Sequence, residues 1–224
     1  MSALLHVENH LTSIDDLTQQ GDQVEPEFLD EVMATGPEGV RLLLAPSSPE
    51  FADLVTAGNL RSILREIGKA YDYIVVDSAA HLEERTLEAI ELADQIILVT
   101  GFNVTAVKNT KITLRLFEAM GVEREKMVVV LNQTRPKVAF AADEVERILR
   151  SRILAQLPYE PRVDEAVDTG KPLILAEPKS DLSKQIHSIV EYLAAGAEEA
   201  EAADAEQARG RGRGNRRRFS LGRH

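Results

Sequence analysis

The chain has 224 residues, of which 44% are hydrophobic, and a formal net charge of -11. That length and apolar content predict one sizeable core with a tail, and the lack of cysteine excludes disulfides. Apolar runs are strand-length and broken by charge, which predicts no signal peptide or membrane span and a cytoplasmic protein, and the acidic balance argues against non-specific nucleic-acid binding by the folded part.

The first 39 residues are the least regular. Ser13 caps a helix start at Ile14-Asp15-Asp16, and Glu25-Pro26-Glu27 opens a second short helix ending near Met33. The plain reading of this stretch is a surface helical pair without chemistry. Gly36-Pro37-Glu38-Gly39 reads as a turn, and Val40 to Ala45 as a first β run.

Tyr71 to Asp77 is the most informative stretch, an unbroken apolar run that ends in a carboxylate. A strand there would deliver Asp77 to the carboxyl end of a parallel sheet, where ligands of open α/β sheets bind and where a hard oxygen can hold a magnesium-bound water. The competing reading is an ordinary strand end whose Asp caps the next helix.

From there helical and β stretches alternate: a helix from about Glu83 to Ala93, a strand over Gln95–Thr100, a helix from about Val104 to Met120, and a strand over Met127–Asn132. A helix around Ala141 to Arg150, a short strand over Ile153–Leu157 and a helix from about Lys179 to Leu193 complete the domain. Such alternation predicts right-handed βα units, and so an α/β fold with a doubly wound, mostly parallel sheet.

Four motifs stand in this order: Leu43-Leu44-Ala45-Pro46 with Ser48-Pro49-Glu50, then Ala93-Asp94-Gln95 leading into Ile96–Val99, then Val128–Leu131 ending in Asn132-Gln133, and Leu157-Pro158 with Val163-Asp164-Glu165-Ala166 and Gly170-Lys171-Pro172-Leu173. Together they resemble the MinD/ParA group of deviant Walker ATPases, and most closely its CpaE-like branch, linked to pilus assembly and polar localisation. The resemblance runs from about Leu4 to Leu193. It implies that Asn132 contacts an adenine base, that the Pro158 loop lines the base pocket, that Asp77 holds Mg2+ through water, and that Asp77 and the position of His81 belong to a nucleotide-sensing switch. ATP and Mg2+ are the implied cofactors, and an ATP-dependent homodimer that positions pilus-assembly or polar-localisation proteins is the implied working form.

Two departures qualify this. The group's glycine-rich loop with two lysines has no counterpart in these residues, and Gly36–Gly39 lacks the following Lys-Thr and helix start that would cradle phosphates. The expectation is an N-terminally truncated or split member that begins just after the first switch. Gln133 stands where the group has Arg, and His81 where it has Gly, whose freedom lets the backbone approach the γ-phosphate.

The domain is expected over residues 1–195 and a disordered tail over 196–224, first rich in Ala and Glu, then in Arg and Gly. The tail is read as solvated, as a polybasic contact with anionic membrane, which would put the protein at the periphery of the inner membrane, or, with less support, as a nucleic-acid contact. The histidines His6, His10, His81, His187 and His224 form no metal motif, and Glu83 and Glu84 favour the positive start of the next helix over a role as base. Two functions follow: part of an ATPase whose phosphate loop lies elsewhere, which would not hydrolyse ATP alone, or a degenerate scaffold of the same fold.

Overall fold

A computed structural model describes residues 12–18, 24–46, 48–78, 80–138 and 140–196. The expected Arg/Gly tail, His6, His10 and His224 lie outside these residues. Gly196, the expected start of the tail, still belongs to the last helix.

The centre is a three-stranded parallel sheet, β3 (Ile96–Gly101), β4 (Met127–Asn132) and β5 (Ile153–Leu157), in the order β3-β4-β5. β4 has a neighbour on each side, and its residues Met127–Leu131 are all buried, so an uninterrupted apolar run is what that lane requires. Helices α6 (Val104–Ala119) and α7 (Ala142–Leu149) cover one face. Val107, Leu114 and Phe117 of α6 and Val145 and Leu149 of α7 pack there on Val129 and Leu131. The buried residues 107, 110, 114 and 117 recur at helical spacing, and Asn103 caps the first turn by accepting from the Ala106 amide at 2.9 Å.

A second core lies under α1 (Ile14–Thr18), α2 (Pro26–Val32) and α4 (Ala57–Ile67), where Leu17, Leu29, Val32, Ile63 and Ile67 are buried together. Thr56 and Asn59 form a reciprocal cap at the start of α4. α5 (Glu84–Leu92) is tied to α4 by Arg61, whose guanidinium pairs with Glu88 and, at 3.0 Å, with Glu91. The remaining elements are α3 (Pro49–Ala52), α8 (Arg162–Thr169), α9 (Leu173–Ala176) and α10, helical over residues 181–196.

Two expected strands take another form. The run Val40 to Ala45 contributes only β2 (Arg41–Leu42), paired antiparallel with β1 (Ala34–Thr35). Left-handed Glu38 (φ 54°) and Gly39 (φ 81°) reverse the chain there, so the run folds back on its predecessor instead of joining the sheet. Arg41 then donates to the carbonyl oxygens of Asp30 at 2.7 Å and Met33 at 3.2 Å, a cation at the end of α2.

Tyr71 to Asp77 forms no strand. Tyr73, Ile74, Val75 and Val76 are exposed, Val75 at 89%, and no ladder joins them to β3 or to residues 40–45. An apolar run becomes a strand only when a neighbour satisfies its backbone, and among the described residues this one has none.

Candidate nucleotide-binding site

The carboxyl ends of the three strands meet in one rung: Gly101 is the register partner of Asn132, and Asn132 the partner of Leu157. Asn132 is therefore half-buried in the middle of the lip of the sheet, and Pro158 leaves β5 directly beside it. The Gln133 amide donates to the Leu157 carbonyl at 2.9 Å, which carries the ladder one step past the strands. The Gln133 side chain donates to the carbonyls of Arg135 at 2.9 Å and Pro136 at 3.3 Å, folding its own loop rather than reaching outward.

Gly101 leaves little room for a side chain. A Cβ there would lie 3.3 Å from Asn103 Nδ2 and 3.9 Å from the Asn132 carbonyl oxygen, so a side chain would crowd the group that caps α6.

Past Pro158 the chain is pinned by a clasp that the sequence reading missed. Arg162 donates to both carboxylate oxygens of Glu160, at 2.9 and 2.7 Å, its backbone amide adds a third bond at 3.2 Å, and its other terminal nitrogen reaches Glu177 at 3.3 Å. Hydrogen bonding by Arg162 lowers the Glu160 carboxyl to about 2, and Glu160 in turn raises the guanidinium pKa. The Glu160-Pro161-Arg162 spacing was a readable signal for half of this clasp.

The other sequence-predicted residues stand apart. Asp77 and His81 are both exposed and have no hydrogen-bond or ion-pair partner among the described residues. Asn132 and Pro158 are thus brought together by the ladder, whereas nothing in the described residues brings Asp77 or His81 to them. No group of three or more potential metal ligands forms among the described residues.

One further atom belongs to this lip. The Thr100 hydroxyl, on β3 next to Gly101, is buried and forms no hydrogen bond with the described residues. The Asn132 amide fits the edge of a purine, and the Asp77 carboxylate, which stands apart from that lip, is of the type that holds a hydrated divalent cation. No G-x-x-x-x-G-K-[ST] run, whose amides and lysine would cradle a triphosphate, occurs in these residues.

Comparison with known proteins gives this arrangement a lineage. No family model matches the chain. It is 25% identical over 152 residues to the septum site-determining protein MinD of Thermotoga maritima, covering 66% of this chain and 56% of that one. It is also 25% identical over 168 residues to an uncharacterised ATP-binding protein of Methanocaldococcus jannaschii, covering 74% of this chain and 62% of that one. Among solved structures, the ParA family ATPase from Chlorobium tepidum superposes with a TM-score of 0.76 at 20% identity, over 83% of this chain and 78% of that one. In sequence the chain is similar to MinD proteins, and its fold is that of the MinD and ParA ATPases. MinD from Pyrococcus horikoshii, solved as a complex with Mg-ADP, superposes with a TM-score of 0.71 at 19% identity, over 86% of this chain and 77% of that one. The chain spans between 45% and 62% of the length of the curated relatives it matches. No helix among the described residues is long and apolar enough to cross a membrane.

Proposed function

We propose that this chain is the base-binding and partner-facing part of a MinD/ParA-type ATPase, and that the phosphate loop it works with lies on polypeptide outside these residues. The observation that carries this is the outer edge of β3. β3 pairs only with β4 among the described residues, and on the face away from α6 and α7 Ile97 and Val99 are 40% and 61% exposed. A parallel sheet is stable when both faces are covered, so an apolar strand bare on one face and one edge is a lane for another strand. The unpaired run Tyr73–Val76 supports the same reading.

On this proposal Asn132 and the Pro158 loop hold the adenine, the Glu160–Arg162–Glu177 clasp keeps that loop from spreading, and Asp77 orients a magnesium-bound water. Magnesium, when bound, would neutralise charge on the phosphates. The working form is a dimer that positions a partner, and the CpaE-like words of the sequence make pilus-assembly or polar-localisation machinery the proposed cargo. By themselves these residues supply neither backbone amides nor lysines to a triphosphate, so the isolated chain is expected not to turn ATP over.

A second reading, a degenerate scaffold, has one observation in its favour: His81 occupies the position where the family's switch carries glycine. Calorimetry separates the two. ATP is titrated into the chain alone and into the chain co-purified with the N-terminal strand, phosphate loop and helix of the Thermotoga MinD. The ATPase reading expects affinity near the millimolar range alone and micromolar affinity in the complex; unchanged weak binding in a stable complex favours the scaffold.

A further inference from the structure

At the amino end of the strands, opposite Asn132 and Pro158, α6 and α7 enclose a hollow of about 290 Å3 lined by Lys111, Arg115, Glu118, Arg124 and Arg150 over an apolar floor. Four cations and one carboxylate line it, an unusual balance in a chain with a net charge of -11. The carboxylate is already engaged: Glu118 pairs with Arg124, and Arg124 also donates to the Arg150 carbonyl at 3.0 Å. Lys111, Arg115 and Arg150 have no side-chain partner among the described residues. Lys111 and Arg115 stand one turn apart on α6, a spacing at which like charges repel.

Cations near helix ends commonly serve the terminal carbonyls. Arg124 does so here, but Lys111 lies two turns before the end of α6, beyond the reach of that effect. Arg150 makes the point more sharply. It ends α7 in the left-handed region (φ 54°, ψ 37°), where glycine is the unstrained choice. A guanidinium therefore stands beside two other unpaired cations at a position whose backbone disfavours it.

We propose that this hollow is a phosphate-binding site, in which a phosphomonoester or pyrophosphate anion is held by Lys111, Arg115 and Arg150, the arginines supplying forked donors. Such a group comes either from a free phosphorylated solute or from a phospholipid headgroup. The exposed Ile112 and Leu116 on the same helix give the second source an apolar footing. This site is independent of the nucleotide lip, which lies at the other end of the strands.

The test uses the full chain and two probes: pyrophosphate by calorimetry, and sedimentation with phosphatidylglycerol or phosphatidylcholine vesicles. Saturable pyrophosphate binding, weakened at least tenfold in Arg115→Glu and unchanged in Lys184→Glu, assigns a free phosphate. Sedimentation with phosphatidylglycerol vesicles alone, lost in Arg115→Glu, assigns a headgroup. Arg150→Gly guards against misfolding as an explanation, because it should hold or raise the thermal midpoint while weakening whichever probe binds. Absence of both interactions, or equal loss in Lys184→Glu, overturns the proposal.

Discussion

Asn132 and Leu157 are register partners on the last rung of the β4–β5 ladder, so the amide side chain and the Pro158 turn are positioned by backbone hydrogen bonds rather than by loop packing. The site can therefore be perturbed without perturbing the fold. Asn132→Ala should leave the thermal midpoint nearly unchanged. In the complex with a phosphate-loop segment it should weaken nucleotide binding by about 1–3 kcal/mol, the cost of an unpaired buried edge. Calorimetry and a thermal melt on the same preparation check both halves.

Leu131, adjacent to it, is fully buried between strands and helices. Leu131→Ala should cost about 2–5 kcal/mol through lost burial and a residual cavity. Urea titration checks this, and an effect below about 1 kcal/mol would mean that β4 is not the centre of the core.

Thr100 offers the opposite sign. Its buried hydroxyl has no partner, so Thr100→Val should stabilise the isolated chain by up to about 1–3 kcal/mol. In the complex with the phosphate-loop segment the gain should shrink or reverse, if that segment supplies the missing partner. Paired melts with and without the segment read the difference.

The Glu160 clasp predicts a pH effect. The folded-state carboxyl is lowered to about 2 by Arg162 from an ordinary value of 4.5, so its contribution is complete above pH 4.5 and is lost as pH falls toward 2. Glu160→Gln should flatten the stability profile in that window and lower stability near neutrality, with the difference from the parent chain vanishing as pH falls toward 2. Because Arg162 is exposed and its charge is screened by solvent, the effect should be small.

These residues also show what a sequence discloses. β4 and β5 run from Met127 to Asn132 and from Ile153 to Leu157, the bounds read from their apolar runs, because a strand buried in the sheet carries its environment in its composition. Tyr71–Asp77 carries the same signal and forms no strand, since pairing belongs to the neighbour and not to the run. α4 escaped the sequence reading because its cap pairs Thr56 with Asn59 instead of the acidic or Gln partner that marks the usual box. The proximity of Asn132 to Pro158 came from family resemblance, and Arg162–Glu177 was invisible because its partners are far apart in the chain.

The central claim, that β3 is an open lane for a strand carrying the phosphate loop, is tested most directly by amide hydrogen exchange across Ile96–Gly101. In the chain alone, the amides directed at β4 should be protected and those directed outward should exchange rapidly. Adding the N-terminal strand, loop and helix of the Thermotoga MinD should slow the outward set and bring Tyr73–Val76 into protection with it. Full protection of β3 in the monomeric chain alone, or no change when the segment binds, would contradict the account.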